Sequence, residues 1–329
     1  MRSDYRTVCL DQLGVLLVRG PDLLPFLQGQ LSNDIALLSP QRSLLAGYHN
    51  PQGRVIALLR LLQPEPEQVL AVLPRELIGP VIARLSKFIL RAKVKLADES
   101  AQWNISGLLT DGSAADAQRT SAGARADFPA ALPTPQDAAA SLAGALAVCV
   151  ARQPARWLLL RPASQSPLTG AAAAAPQEWQ RLAIAAGEPQ VYRATSEEFV
   201  AQMLNLDALG AIAFDKGCYT GQEVIARAHY RGRVKRRLQR FVTVPRQEPL
   251  KPGDAGELSD GRAFRTVDAV MLADGRCEFL AVAPLEAGEA DGAPAAGPAA
   301  TGRIDAQTLP LPYALPPEAA GPGADLTRR

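Results

Sequence analysis

The chain has 329 residues, with 47% hydrophobic and 21% charged residues and a formal net charge of +2. That length implies roughly two or three domains with sizeable cores, and that composition excludes a chain disordered throughout. Four cysteines far apart in sequence, no CxxC pair and only two histidines argue against a sequence-local zinc or ferredoxin-like cluster site. The apolar runs fall short of a membrane span. The first residues, MRSDYRTVCLDQLG, hold no apolar h-region, so a cytoplasmic protein is expected.

In chain order, the first hundred residues read as mixed α and β. Leu13–Val18 is a predicted strand stopped by Gly20-Pro21, and Asp22 is an N-cap for a helix over Leu23–Gln30. Val55–Leu62 and Val69–Leu73 have strand length. Leu77–Ile89 has helical apolar spacing, with Pro80 implying a kink or a late start. From Asp111 to Ala175 the chain becomes alanine-rich. Strands are predicted at Trp103–Thr110, Leu146–Val150 and Trp157–Leu160, and Ala171–Ala175 reads as a linker or helix lead-in. Pro176 suits a first helical position and Gly187 a C-terminal cap. Trp179, Leu182, Ala183 and Ala186 share a face between them. Thr195-Ser196-Glu197-Glu198 suggests a capping box for a helix over Phe199–Leu206. After Asp260 short strands predict a small β-barrel or sandwich. It contains a Gly/Ala/Pro loop at Glu286–Thr301 and is followed by a disordered tail after Pro317.

The most distinctive stretch is FDKGCYTGQEVIAR at 214–227. An apolar strand Ala211–Phe214 runs into a turn at Gly217, and Thr220 with Glu223 forms a second capping box that starts a helix near Gly221. A strand, a glycine turn and a helix N-terminus offer N–H groups and a positive dipole end to an anion. Lys216 adds a charge, and Cys218 just before the cap is placed to favour a thiolate. From the residues alone, it stays open that Gly217 only turns, Thr220 only caps and Cys218 is a small buried residue. Downstream, Arg227, Arg231, Arg233, Lys235, Arg236, Arg237 and Arg240 are basic, with no acid between Glu223 and Glu248. They form either a solvated surface or a face for a polyanion, either RNA or a poly-glutamate tail.

FDKGCYTGQEVIAR followed by RGRVKR resembles the signature of the folate-binding YgfZ family, related to the aminomethyltransferase (T-protein) of glycine cleavage. FLQGQLSND at 26–34, LLAGYHNPQGRV at 44–55, SEEFVAQMLNLDALGAIAF at 196–214 and LPLPYAL at 309–315 resemble it in the same order. The resemblance implies an α+β, T-protein-like multi-lobed fold. A folate-binding body would comprise 1–100 plus 176–235, a ferredoxin-like lobe 101–175, and a C-terminal antiparallel β-barrel with its tail 236–329, around a folate-sized central hole. It implies a monomer that binds tetrahydrofolate or a one-carbon derivative. That protein would support assembly or repair of iron–sulfur enzymes, tRNA-modifying ones included, with no resident metal and no membrane.

The resemblance also assigns residues. Cys218 and Lys216 would be the reactive pair. Trp179 would contact folate, as would position 13, where the family's tryptophan is Leu13 in this chain. Asn50 and Arg54 would line the site from the Pro-Gln-Gly turn, with Tyr219, Gln222, Glu223 and Arg227 completing it. The alternatives are a folate-dependent aminomethyltransferase or demethylase, and a tRNA-binding protein acting through Arg231–Arg240. Against the first, the T-protein's catalytic aspartate aligns with Ala57, which cannot hydrogen-bond a reacting amine.

Overall fold

In the computed structural model, residues 5–111, 132–142, 144–152, 154–165, 171–285 and 300–316 are described. The chain divides into two compact units, residues 1–46 with 57–182, and residues 47–56 with 183–329.

The first unit holds two sheets. A six-stranded sheet has the order Ala172–Ala173, Tyr5–Cys9, Trp103–Thr110, Ala155–Pro162, Ala145–Arg152, Ala139–Leu142. Its strands Ala155–Pro162 and Ala145–Arg152 are apolar at most positions because both faces are largely buried. Leu108, Ala147, Cys149, Trp157 and Leu159 point into one cluster. Ile105, Leu109, Val148, Val150, Leu158 and Leu160 point into another, as strand alternation requires. That second cluster also contains Leu13, Val15, Leu17, Leu62, Leu70 and Val72. They come from a five-stranded sheet ordered Leu44–His49, Val55–Glu65, Gln68–Pro74, Leu13–Arg19, Lys95–Asp98. The two sheets therefore bury one shared core.

The second unit contains a six-stranded sheet in the order Ala300–Ile304, Ala255–Leu258, Ala263–Met271, Cys277–Pro284, Arg236–Thr243, Ala306–Leu309. It curls into a half-barrel, antiparallel except where Ala255–Leu258 meets Ala300–Ile304. Phe241, Phe264 and Phe279 fill its core, the first and last with ring centroids 5.2 Å apart. Tyr313, from the LPLPYAL stretch, donates its hydroxyl to the Gly187 carbonyl at 2.8 Å and accepts from Asn205 at 3.3 Å.

The strands at 13, 55, 69, 103, 146 and 157 and the helix opening on Pro176 lie where the sequence puts them. Several local readings need correction. Asp22 precedes the helix Leu23–Gln28 but does not cap it with its side chain. Its carboxylate accepts instead from the Lys93 amide at 2.7 Å. The helix over Arg75–Leu85 starts early and runs through Pro80. Two residues of the alanine tract, Ala172–Ala173, pair in parallel with Tyr5–Cys9. No α-helix spans Phe199–Leu206. Thr195 closes its box on Tyr192 around a 3-10 turn, and Glu197 adopts φ +66°. Its backbone N–H goes to Val55 at 2.8 Å, so a distant strand overrides the local capping signal. Ala211–Phe214 is irregular rather than a strand. The residues of the alanine-rich segment at 112–131, the loop at 286–299 and the tail after 316 lie outside the described residues.

Candidate functional site

The helix Gln222–Arg231 opens on Gly221, whose φ is +83° and which offers no side-chain cap. The expected Thr220–Glu223 box is therefore replaced by a left-handed glycine, and the turn glycine is Gly221 rather than Gly217. The reason lies 170 residues upstream in the NPQGR turn. A Cβ on Gly221 would lie 2.5 Å from the Asn50 carbonyl oxygen and 3.0 Å from the Cα of Gly53. Gly53 itself has φ +70°, and a Cβ there would lie 3.0 Å from Val224. Two left-handed glycines thus bring the turn against the start of the helix.

Asn50 organises that turn. Its Oδ1 accepts from the amides of Gln52 and Arg54, both at 3.0 Å, and its Nδ2 donates to Glu197 at 2.8 Å. This is an Asx turn whose acceptor is already used twice. Arg54 is exposed and donates to the carbonyl oxygens of Glu197 and Glu198, at 3.3 and 2.5 Å.

The loop bearing the thiol is cinched by the first helical residue. Gln222 accepts from the Tyr219 amide at 3.3 Å and donates to the Lys216 carbonyl at 3.5 Å. Between those two anchors Cys218 is free and exposed. Lys216 holds its ammonium 5.1 Å from the Tyr219 ring centroid, a cation–π contact. Tyr219 is buried, which pushes its phenol up to about 12. Its ring lies 6.3 Å from that of His49. His49 is wholly buried, and desolvation lowers it to about 3, with the Gly47 backbone opposing. It is neutral at pH 7. Glu223 and Arg227 are exposed one helical turn apart.

Eight of the ten expected site residues therefore belong to the second unit. The other two are in the first. Leu13 lines a cavity of about 500 Å³, together with Trp103, Asn104, Asp11, Arg75 and Arg161. Trp179 does not line it. Its ring lies on Gly107, where a Cβ would come within 2.2 Å, and the Arg156 guanidinium is 5.2 Å from its centroid. Leu13 and Trp179 nonetheless join the same core. Sequence reasoning missed Glu197, whose partner Asn50 is remote in the chain, and the cavity residues Trp103, Arg75 and Arg161. No local pattern marks any of these four. Among the described residues no cluster of three or more His, Cys, Asp and Glu side chains could hold a metal, and no helix is long and apolar enough to cross a membrane.

The chain is 30% identical, over 273 residues, to the tRNA-modifying protein YgfZ of Pectobacterium carotovorum subsp. carotovorum (strain PC1), covering 81% of this chain and 78% of that one. The chain belongs to the YgfZ family. No family model matches this YgfZ-family chain. Among solved structures it is similar to the glycine cleavage system aminomethyltransferase T from Bartonella henselae. That match has a TM-score of 0.63 and 14% identity, covering 86% of this chain and 79% of that one. At that identity the likeness establishes the fold, which in this YgfZ-family chain is T-protein-like.

Proposed function

We propose that this chain is a folate-dependent accessory protein for the assembly or repair of iron–sulfur enzymes, tRNA-modifying ones among them. Cys218 is its working thiol, and tetrahydrofolate or a one-carbon derivative is its ligand. The observation that carries this reading is the exposed Cys218, held between two backbone anchors of Gln222 at the start of a helix. A thiol presented this way can ligate iron or exchange with a disulfide or persulfide on a client. Lys216 stands beside it, and Asn50 positions the supporting turn. Arg54, Glu223 and Arg227 supply exposed charge around the loop for an anionic ligand or a client surface.

The first unit supports this choice of ligand. Its cavity of about 500 Å³ is lined by Leu13, by an indole at Trp103 and by two guanidinium groups, Arg75 and Arg161. That volume is typical of small-molecule sites. A flat ring suits an aromatic wall and a carboxylate suits arginine, and tetrahydrofolate has both. When bound, tetrahydrofolate supplies a one-carbon acceptor. The chain's own contribution is to bind and orient it.

Ala57, buried in the strand Val55–Glu65, carries no ionisable group where the T-protein aligns its catalytic aspartate. This supports an accessory role over aminomethyl transfer. The test has three arms. Tetrahydrofolate should bind and quench tryptophan fluorescence. Purified protein should show no aminomethyl transfer from a glycine-loaded carrier, and turnover comparable to a genuine T-protein would overturn the reading. In cells, Cys218→Ser should leave folate affinity intact while lowering the activity of iron–sulfur enzymes. Full support of those enzymes by Cys218→Ser would remove the thiol from the mechanism.

A further inference from the structure

The far end of the same helix carries a feature that the thiol and folate do not use. Phe214 stacks on His229 with centroids 3.7 Å apart and planes 15° apart. Tyr230 meets both edge-on, at 6.1 Å from Phe214 and 4.7 Å from His229. Phe214 and His229 are half-buried, whereas Tyr230 is 59% exposed. Such a ring in the last turn of a helix, braced by two others, is a rigid aromatic surface facing solvent.

Cations flank it along the chain. Arg227 lies one turn from both Tyr230 and Arg231 on the helix, and Arg227, Arg231, Arg233 and Lys235 are exposed. The structure also trims the basic run. Arg237 is buried and bidentate to Asp207, both bonds at 3.0 Å, and Arg240 pairs with Glu278 at 2.6 Å. Arg237 ties the half-barrel to the segment at Asp207 and Arg240 braces two of its strands, so both are committed within the chain. The polyanion face expected over Arg231–Arg240 is thereby shifted onto the helix end and the loop that follows. One exposed acid, Asp215, adjoins Phe214.

We propose that Tyr230, braced by Phe214 and His229 and flanked by Arg227, Arg231, Arg233 and Lys235, is a stacking platform for an unpaired polynucleotide segment. Charge complementarity selects a polyanion, and the exposed ring selects one with accessible bases. Single strands bind by this combination of stacking and phosphate contacts, whereas a duplex hides its base faces and a peptide polyanion has none. The platform is independent of the folate reading, because it uses neither Cys218 nor the cavity.

The test is fluorescence anisotropy of the full-length protein with labelled U12 RNA and dT12 DNA, from 50 to 300 mM KCl. A U12–A12 duplex and poly-glutamate serve as competitors. Binding to the single strands is expected, with the duplex and poly-glutamate competing weakly. A preference for U12 over dT12 would name RNA as the strand recognised, and equal binding would name single strands in general. Tyr230→Ala should weaken binding at least about fivefold, and Tyr230→Phe should restore it to within about twofold. Arg231→Ser should lower the slope of log affinity against log salt by about 0.7. Circular dichroism melts of each variant exclude misfolding. Three results would overturn the platform: no binding at 50 mM KCl, equal competition by duplex or poly-glutamate, or full affinity in a folded Tyr230→Ala. Tetrahydrofolate titration of the same samples reports separately on the folate reading.

Discussion

Gly221→Ala tests the junction on which the candidate site is built. The backbone there is at φ +83°, and an L-residue in that region costs about 1–2 kcal/mol. The new methyl would also lie 2.5 Å from the Asn50 carbonyl oxygen. That oxygen accepts from Gly53 at 2.9 Å and closes the turn, so the turn itself must move. Overpacking of this kind adds about 1–3 kcal/mol. A total loss of about 2–5 kcal/mol is expected. For a domain of this size that lowers Tm by roughly 5–15 °C, measurable by calorimetry and by urea unfolding. Gly221→Asn separates the two causes. Asparagine tolerates the left-handed region, so its remaining cost reports the collision with Asn50. Thr220→Ala is the control. A capping threonine would cost about 1 kcal/mol, but Gly221 occupies the cap, so less than about 0.5 kcal/mol is expected. A Gly221→Ala protein as stable as the parent, or a Thr220→Ala protein that is less stable than Gly221→Ala, would refute this account of the helix start.

Three further outcomes are expected. Iodoacetamide should label Cys218 first. Cys149 and Cys277 are buried and raised by desolvation, the former to about 11, and Cys9 is raised chiefly by its hydrogen bond to Asp11; peptide mass spectrometry in which another cysteine leads would contradict this. Trp103→Ala should weaken tetrahydrofolate binding by about 1 kcal/mol or more, because Trp103 lines the cavity, whereas Trp179→Ala should mainly lower Tm, since that indole covers Gly107 in the core; unchanged affinity in a folded Trp103→Ala would remove the ligand from this cavity. His49, lowered to about 3 by burial, takes up its proton only on unfolding, so stability present above the unfolded value of about 6.5 is lost as pH falls towards 3. Between pH 6.5 and 5 that amounts to about 2 kcal/mol, and a His49→Phe protein with the same slope in urea titrations at several pH values would place the titration elsewhere.

What could be read from the sequence was what short-range physics decides. The unbroken apolar run Trp157–Leu160 marks a strand buried on both faces, and Pro176 marks a helix start. Misreadings arose where a distant group outbid a local preference. Thr195-Ser196-Glu197-Glu198 has the composition of a capping box, but Glu197 is claimed by Asn50 and Val55. Thr220 and Glu223 have capping spacing, but the approach of the NPQGR turn requires a residue without Cβ, and only Gly221 qualifies. The basic run reads as uniform because sequence does not show that Arg237 and Arg240 face Asp207 and Glu278. Trp103, Arg75 and Arg161 gained meaning only from the cavity they share. The motifs themselves are legible as strings, but their contact, Gly221 against Asn50 and Gly53, is not, because its two sides lie about 170 residues apart.

The arrangement also explains why an exposed cysteine is surrounded by so much buried structure. His49 is neutral and enclosed, Tyr219 lies against it, and Lys216 lies over Tyr219. The backbone on both sides of Cys218 is then tied down by one glutamine. Each contact removes a freedom that the loop would otherwise keep, and fixing one residue's backbone costs about 1–2 kcal/mol. A plain surface turn needs no such expenditure. The role proposed for Cys218, meeting a partner's metal or sulfur in a set direction, would use a stiff support for orientation. Asn50, Gly53, Gly221 and Gln222 are on this argument positioning residues. Their substitution should impair the thiol's function while leaving its chemical identity untouched, which separates them from Cys218 itself.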